Sequence, residues 1–106
     1  MSSQIVEQDW RDVTRSDQPF SPDTKWAEEE HSRILSMKLP GFPKNRLQIT
    51  LNAATRTLTV TGQKQDGLFN IIRLNERISI DDTCSLDGVF ARLHDHTLFV
   101  TFSKKK

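Results

Sequence analysis

Apolar residues occupy alternate positions in a series of short segments between Arg33 and Phe102. Period-two alternation is typical of β-strands with one buried face, and no stretch of useful length shows the i, i+3, i+4 spacing of an amphipathic helix. Turn residues separate the segments, as at Pro40-Gly41, which suits a type II turn. The sequence therefore predicts an all-β domain of six to eight short strands, either an antiparallel β-sandwich, which we favour, or a small barrel. The predicted inward-facing residues are Leu35, Met37, Leu39, Leu47, Ile49, Leu51, Leu58, Val60, Ile72, Leu74, Ile78, Ile80, Val89, Ala91, Leu93, Leu98, Val100 and Phe102.

The last two segments predict the best-defined hairpin. Residues 89–93 and 98–102 alternate on either side of Asp95-His96, and a two-residue turn there points all their apolar residues inward. Glu76 falls in the inward row of an earlier segment, so a bulge or a strand end is expected near it. The predicted cross-strand pairs of the hairpin are Val89 with Phe102, Ala91 with Val100 and Leu93 with Leu98.

The N-terminal part of the chain differs from the rest because Asp, Glu, Gln, Ser and Arg dominate it. Such a segment buries too little apolar surface to offset its ordering entropy. We therefore expect a disordered, flexible polar arm over residues 1–25, the β-sandwich over residues 26–104, and a basic tail at residues 105–106. Trp26 is the tryptophan closest to the domain, and we expect it to pack over an edge of the sandwich.

Charge and cysteine content exclude several classes of function. The 15 basic and 14 acidic residues give a net charge of +1, which provides no electrostatic basis for binding nucleic acid or an anionic membrane. No window approaches the roughly 18 apolar residues of a membrane span, and the N-terminus lacks the features of a secretory signal. The single cysteine, Cys84, cannot form an internal disulfide. We therefore expect a cytoplasmic protein, with the nucleus as the other open compartment.

No set of residues has the spacing of a catalytic site. Cys84 has no histidine that the sequence places beside it, and the chain lacks a glycine-rich phosphate loop. The one metal-like cluster is His94-Asp95-His96. Its two imidazoles could hold a metal weakly, but further ligands are missing, and a polar turn tip explains the triplet without a metal. We expect neither an enzyme nor a bound cofactor or metal ion.

Some apolar residues carry the outward parity of their strands. Phe90 and Phe99 become diagonal neighbours on one outer face in the predicted hairpin, and Ile34 and Ile71 also point outward. A cluster of this kind marks a contact surface for other proteins. Alternatively, a loop or the N-terminal arm covers it, with Trp26 as a candidate lid. Both interpretations stay open at this point.

The strand motifs resemble those of a known family. Residues 31–42 read HSRILSMKLPGF, a strand followed by Leu-Pro-Gly-Phe, and residues 47–51 and 58–62 continue the pattern as LQITL and LTVTG. Residues 91–102 are similar to an A-x-L-x-x-G-x-L hairpin, with His96 in place of the glycine. Together these motifs resemble the α-crystallin domain of small heat-shock proteins, above all the plant branch that includes relatives implicated in restricting virus movement.

The resemblance implies an immunoglobulin-like sandwich that binds partly unfolded proteins without ATP. In the family, a groove between two strands receives an I/V-x-I/V motif from a neighbouring tail. The residues on the two walls of that groove are expected to contact a bound segment. The other expected client-binding residues are the outward apolar residues and Trp26, namely Phe90, Phe99, Ile34, Ile71 and Trp26. The groove residues implied here are Leu47, Ile49 and Leu51 on one wall and Val89, Ala91 and Leu93 on the other.

Two departures from the family concern assembly. The segment from Gln63 to Phe69 is too short for the long swapped strand of plant relatives, and the chain stops at Lys106 without an I/V-x-I/V tail. We therefore expect a monomer or a weak homodimer. The resemblance implies a holdase for partly unfolded clients, whereas the strand motifs also fit an alternative that the two missing assembly features favour. The alternative is an interaction module with one dedicated native partner, either a diverged α-crystallin-like domain or a CS-type co-chaperone.

Overall fold

Two four-stranded sheets form the computed structural model, which describes residues 16–105. Sheet A has the strand order β1-β6-β5-β4, and sheet B has the order β2-β3-β8-β7. All neighbouring strands are antiparallel except β1 and β6, which run parallel. The predicted all-β sandwich is thereby confirmed. The strands are β1 (Ser16–Phe20), β2 (Thr24–Glu28), β3 (Ser32–Lys38), β4 (Leu47–Asn52), β5 (Thr57–Asp66), β6 (Asn70–Ser79), β7 (Phe90–His94) and β8 (Thr97–Ser103), with one 3₁₀ turn (Lys44–Arg46) before β4.

The core lies between the central strands of the two sheets, and most of it comes from the alternating residues. Two buried residues, Phe42 and Cys84, come from loops and have no periodic signal. Each fully buried apolar side chain contributes about 1.5–3 kcal/mol before entropy is subtracted. The buried apolar residues are Leu35, Met37, Leu39, Phe42, Leu58, Val60, Leu74, Ile80, Cys84, Leu98, Val100 and Phe102. No helix among residues 16–105 is long and apolar enough to cross a membrane.

The β5–β6 hairpin is a regular ladder that runs from the pair Thr57–Ser79 to the pair Asp66–Asn70. Val60 pairs directly with Glu76 inside this ladder, so the bulge expected near Glu76 is wrong. The neighbouring strand β1 ends its pairing with β6 at Leu74, which leaves Glu76 half-buried at an open edge. A carboxylate is tolerated in the inward row because water reaches it there.

The β7–β8 hairpin has the predicted register, with Ala91 opposite Val100 and Leu93 opposite Leu98. Asp95 and His96 connect the strands with φ values of 51° and 62°. Positive φ at both central residues is the requirement of a type I′ turn, whose twist matches that of the strands. The carbonyl of His96 also accepts a hydrogen bond of 2.8 Å from the Leu39 backbone N–H.

The ordered strands begin earlier in the sequence than the expected boundary at residue 26. Residues 1–15 lie outside the described residues, whereas β1 and the first residues of β2 fall within the segment for which an arm is expected. β1 is held by main-chain pairing along β6, which leaves no periodic signal in the sequence. Phe20 at its end lies 5.2 Å from the Phe42 ring, and the Lys64 ammonium lies over both rings at 5.6 and 4.8 Å. At the other end, Lys105 donates a 2.8 Å backbone hydrogen bond to Thr83.

Arg33 links the edge of sheet B to the loop after β6. Its guanidinium lies 4.7 Å from the centre of the Trp26 ring and donates a 3.0 Å hydrogen bond to the Asp81 carboxylate. The other oxygen of Asp81 accepts a 3.1 Å hydrogen bond from the Thr83 backbone N–H. These contacts favour the charged carboxylate, so the Thr83 N–H and then the Arg33 charge lower the pKa of Asp81.

The type I′ turn generates a stability prediction. Replacing His96 by glycine (His96→Gly) removes the strain of a positive φ at a residue with a Cβ atom. We expect the free energy of unfolding, measured in urea, to rise by about 0.5–1 kcal/mol. The matched control is His94→Gly, which lies in β7 opposite Thr97 and should lower stability. Destabilisation by His96→Gly would contradict the turn geometry.

The Asp81 contacts generate a pH prediction. Because the pKa of Asp81 in the folded chain lies below its ordinary value in an unfolded chain, its contribution to stability is present above that ordinary value and is lost as the pH falls through the folded pKa. In urea titrations at decreasing pH, the parent should therefore lose stability more steeply than Asp81→Asn. Asp66→Asn, at the exposed end of β5, removes the same charge away from Arg33 and Thr83 and serves as the control. Equal slopes for the parent and Asp81→Asn would contradict the assigned contacts.

Candidate protein-binding groove and surfaces

A groove runs between the edge strands β4 and β7. β4 is the last strand of sheet A and pairs with β5, while β7 is the last strand of sheet B and pairs with β8. The groove encloses about 190 Å³. Along both walls, an edge strand presents main-chain groups on the side away from its partner. The lining residues are Lys44, Leu47, Ile49, Ala91, Arg92, Leu93 and Leu98.

The groove exposes apolar side chains that point between the sheets. Ile49 pairs with the fully buried Val60 and shares its inward parity, yet 37% of Ile49 is exposed. Across the groove, Ala91 is exposed and Leu93 is half-buried, although their partners on β8 are buried. The apolar layer of the sandwich is therefore open to solvent at this edge.

A close approach at Gly62 positions the end of the β4 wall. Gly62 pairs with Leu47, and a Cβ atom at Gly62 would lie 2.8 Å from the Leu47 side chain and 3.2 Å from the Arg46 carbonyl oxygen. A side chain at this position would displace Leu47, because such contacts are shorter than normal van der Waals distances. Glycine at residue 62 is thus required for the observed position of Leu47.

The structure brings together four of the six groove residues expected from the sequence. Leu47, Ile49, Ala91 and Leu93 line the groove. The other two, Leu51 and Val89, are half-buried and pack against the core at the far end of the strands. Sequence reasoning missed Lys44, Arg92 and Leu98. Leu98 was assigned to the core alone, and the two cations carry no apolar signal, although long side chains beside an edge strand are natural rims for a groove.

Three of the five residues expected to bind clients share the outer face of sheet B. Thr101 pairs with Ile34 on one side and with Phe90 on the other, so these residues form one outward row. Phe99 lies in the next outward row of the same face. Phe90 is 62% exposed, whereas Ile34 and Phe99 are half-buried. We call Ile34, Phe90 and Phe99 the outer patch.

Ile71 and Trp26 lie elsewhere. Ile71 is on β6 of sheet A, where it pairs with Gln65. Trp26 pairs with Leu35 and has its inward parity, and its ring centre lies 5.8 Å from that of Phe102. Trp26 therefore packs over the β2 edge of the sandwich and does not cover the outer patch.

The turn between β5 and β6 exposes two large apolar residues that sequence reasoning missed. Leu68 is 82% exposed and Phe69 is 54% exposed, immediately after Gly67 with φ of 78°. Their position in the sequence could have identified them, since adjacent leucine and phenylalanine are unusual in an otherwise polar turn. We call Gly67, Leu68 and Phe69 the hairpin tip.

The chemistry-bearing residues singled out in the sequence are dispersed. His94 and His96 stand on either side of a turn residue, and among residues 16–105 no three His, Cys, Asp or Glu side chains form a group suited to a metal ion. Cys84 is fully buried and bridges to Lys104 through the main chain.

No family model matches the chain. Three sequences of the Inactive protein RESTRICTED TEV MOVEMENT 2 from Arabidopsis thaliana are each 24% identical to it over 86 residues. These matches cover 81% of the chain and 24% of the relatives, so the chain spans about a quarter of their length.

Solved structures of small heat-shock proteins share the fold. Heat shock protein 16.0 from Schizosaccharomyces pombe is similar with a TM-score of 0.67 and 19% identity, over 82% of this chain and 89% of that one. A small heat-shock protein from Xylella fastidiosa is similar with a TM-score of 0.69 and 16% identity, over 82% and 88% of the two chains. The described residues therefore have the β-sandwich fold of the α-crystallin domain, and the resemblance to small heat-shock proteins predicted from the strand motifs is confirmed.

Proposed function

We propose that this chain binds partly unfolded proteins without ATP and keeps them from aggregating, with the β4–β7 groove as the main contact. The observation that carries the proposal is the open apolar layer between two edge strands, in which Ile49 points inward and is still 37% exposed. Unfolded chains offer both features that such a groove recognises, which are apolar side chains and unpaired main-chain groups.

An extended client segment fits this groove by adding a strand to β4 or β7. Main-chain hydrogen bonds to the edge strand would be independent of the client sequence, and alternate client side chains would enter the groove. Two apolar side chains at about 1.5–3 kcal/mol each give about 3–6 kcal/mol before ordering costs, which corresponds to weak and reversible binding. Weak binding releases clients without the input of ATP.

The outer patch is a second proposed contact. Its most exposed member, Phe90, lies on the same edge strand as Ala91 but points to the opposite face. Ile71 and Trp26 have no part in this surface, because Ile71 lies on sheet A and Trp26 packs over the β2 edge of the sandwich beside Phe102. A long client segment that passes over the β7 edge would contact both the groove and the outer patch.

The proposed role is that of a binding protein in the cytoplasm and not that of an enzyme. Binding through apolar contact needs no cofactor, and a reducing compartment suits the free, buried thiol of Cys84. The proposal concerns the domain described by residues 16–105, since the curated relatives are much longer than this chain.

The groove is tested by light scattering of a heat-destabilised client at increasing molar ratios of this protein. Ala91→Glu places a carboxylate in the groove at an exposed position, so we expect suppression of aggregation to fall at least about fivefold while the fold is kept. Ala53→Glu introduces the same side chain into the exposed turn after β4 and should leave suppression unchanged. Equal suppression by both variants would exclude the groove as the contact.

The outer patch is tested in the same assay with Phe90→Ser. We expect a smaller loss of suppression than for Ala91→Glu, and a change in the free energy of unfolding within about 0.5 kcal/mol because Phe90 is largely exposed. Unchanged suppression would remove the outer patch from the mechanism. If the folded parent fails to suppress aggregation at several-fold excess, the holdase function is wrong, and a search for one dedicated native partner by pull-down follows.

A further inference from the structure

The hairpin tip presents apolar surface that the rest of residues 16–105 leaves uncovered. Leu68 and Phe69 are among its most exposed large apolar residues, and they sit at the end of a ladder of ten consecutive pairs. A pair of apolar side chains displayed at the end of a regularly paired hairpin is suited to insertion into a pocket on another surface. The surface that receives Leu68 and Phe69 must lie either on the same chain or on a second copy.

The groove of the same chain is out of reach for the tip. Leu47, at the start of the β4 wall, pairs with Gly62, and the β5–β6 ladder continues from there to the pair Asp66–Asn70. Four further residues at about 3.4 Å each carry the tip about 14 Å beyond Leu47 and away from the groove. Paired strands cannot fold back over that distance without breaking the ladder. Any insertion of the tip into a groove must involve a second copy.

The tip and the groove are complementary in polarity and charge. Leu68 and Phe69 match the apolar lining, and a volume of about 190 Å³ has room for one large side chain with part of a second. The acidic Asp66 precedes the tip, while Lys44 and Arg92 line the groove. Among residues 16–105, none of these three charged groups takes part in an ion pair within the chain. They are available to pair across an interface.

We infer that the hairpin tip of one copy inserts into the β4–β7 groove of a second copy, with Asp66 facing Lys44 and Arg92. The inference rests on the groove of the proposed function and adds its regulation, because a groove filled by a tip cannot hold a client. Reciprocal insertion gives a closed two-fold dimer, and one-way insertion gives open chains. Dilution frees the groove, so client binding per subunit rises as the protein concentration falls.

Sedimentation velocity over a concentration series tests the self-association. We expect the parent to associate weakly, and the double variant Leu68→Ser/Phe69→Ser to weaken association at least about tenfold, since two apolar contacts are lost. Asp66→Lys should weaken association, and Asp66→Lys combined with Arg92→Glu should restore it by exchanging the charges. A parent that stays monomeric up to about 1 mM would overturn the inference. The inference would also be overturned if Asp66→Lys combined with Arg92→Glu associated as weakly as Asp66→Lys alone.

Client suppression measured on the same variants separates this inference from the proposed function. The tip variant should keep or increase suppression, whereas Ala91→Glu should lose both suppression and association. If Ala91→Glu loses suppression but associates like the parent, the tip binds elsewhere, for example along the exposed edge of β2, and the inference is wrong while the proposed function stands. If Ala91→Glu loses self-association but still suppresses client aggregation, the proposed client site is wrong and the inference stands.

Discussion

Two four-stranded sheets packed face to face cover the apolar faces of their central strands but leave those of the edge strands β4 and β7 partly open. Leu58, Val60, Leu98 and Val100 on central strands are buried, whereas the inward row of β4 and its counterpart on β7 stay accessible. The register of the strands determines both the buried core and the accessible edge rows, because a shift of one residue would turn every inward side chain of a strand outward. The core and the groove are parts of one apolar layer, closed in the middle and open at one edge.

Strand patterning predicts the fold because period two reports directly which face of a strand is buried. The β7–β8 register followed from parity and turn length alone, and the two positive φ values at Asp95 and His96 supply its physical basis. β1 escaped the same reasoning because main-chain pairing with β6 holds it, and Phe20 is its only large apolar side chain. Loop residues such as Phe42 enter the core through tertiary packing, which periodicity does not report.

The site was predictable to the extent that it follows from strand parity. The walls of the groove at Ile49 and Ala91 came from the family resemblance, and parity placed Phe90 and Phe99 on one outer face. Parity could not tell that Leu51 and Val89 lie outside the groove lining, because they have the same inward parity as Ile49 and Ala91. Leu68 and Phe69 belong to no strand, and their exposure depends on how far the hairpin projects.

Amide hydrogen exchange, measured with and without a bound unfolded client, tests whether the client occupies the edge between β4 and β7. In the free protein, the amides of β4 and β7 that do not pair with β5 and β8 should exchange quickly. Client binding should slow their exchange and leave the outward amides of β2, at the opposite edge of sheet B, unchanged. Slowed exchange along β2 or β6, with no change along β4 and β7, would contradict client binding in the β4–β7 groove.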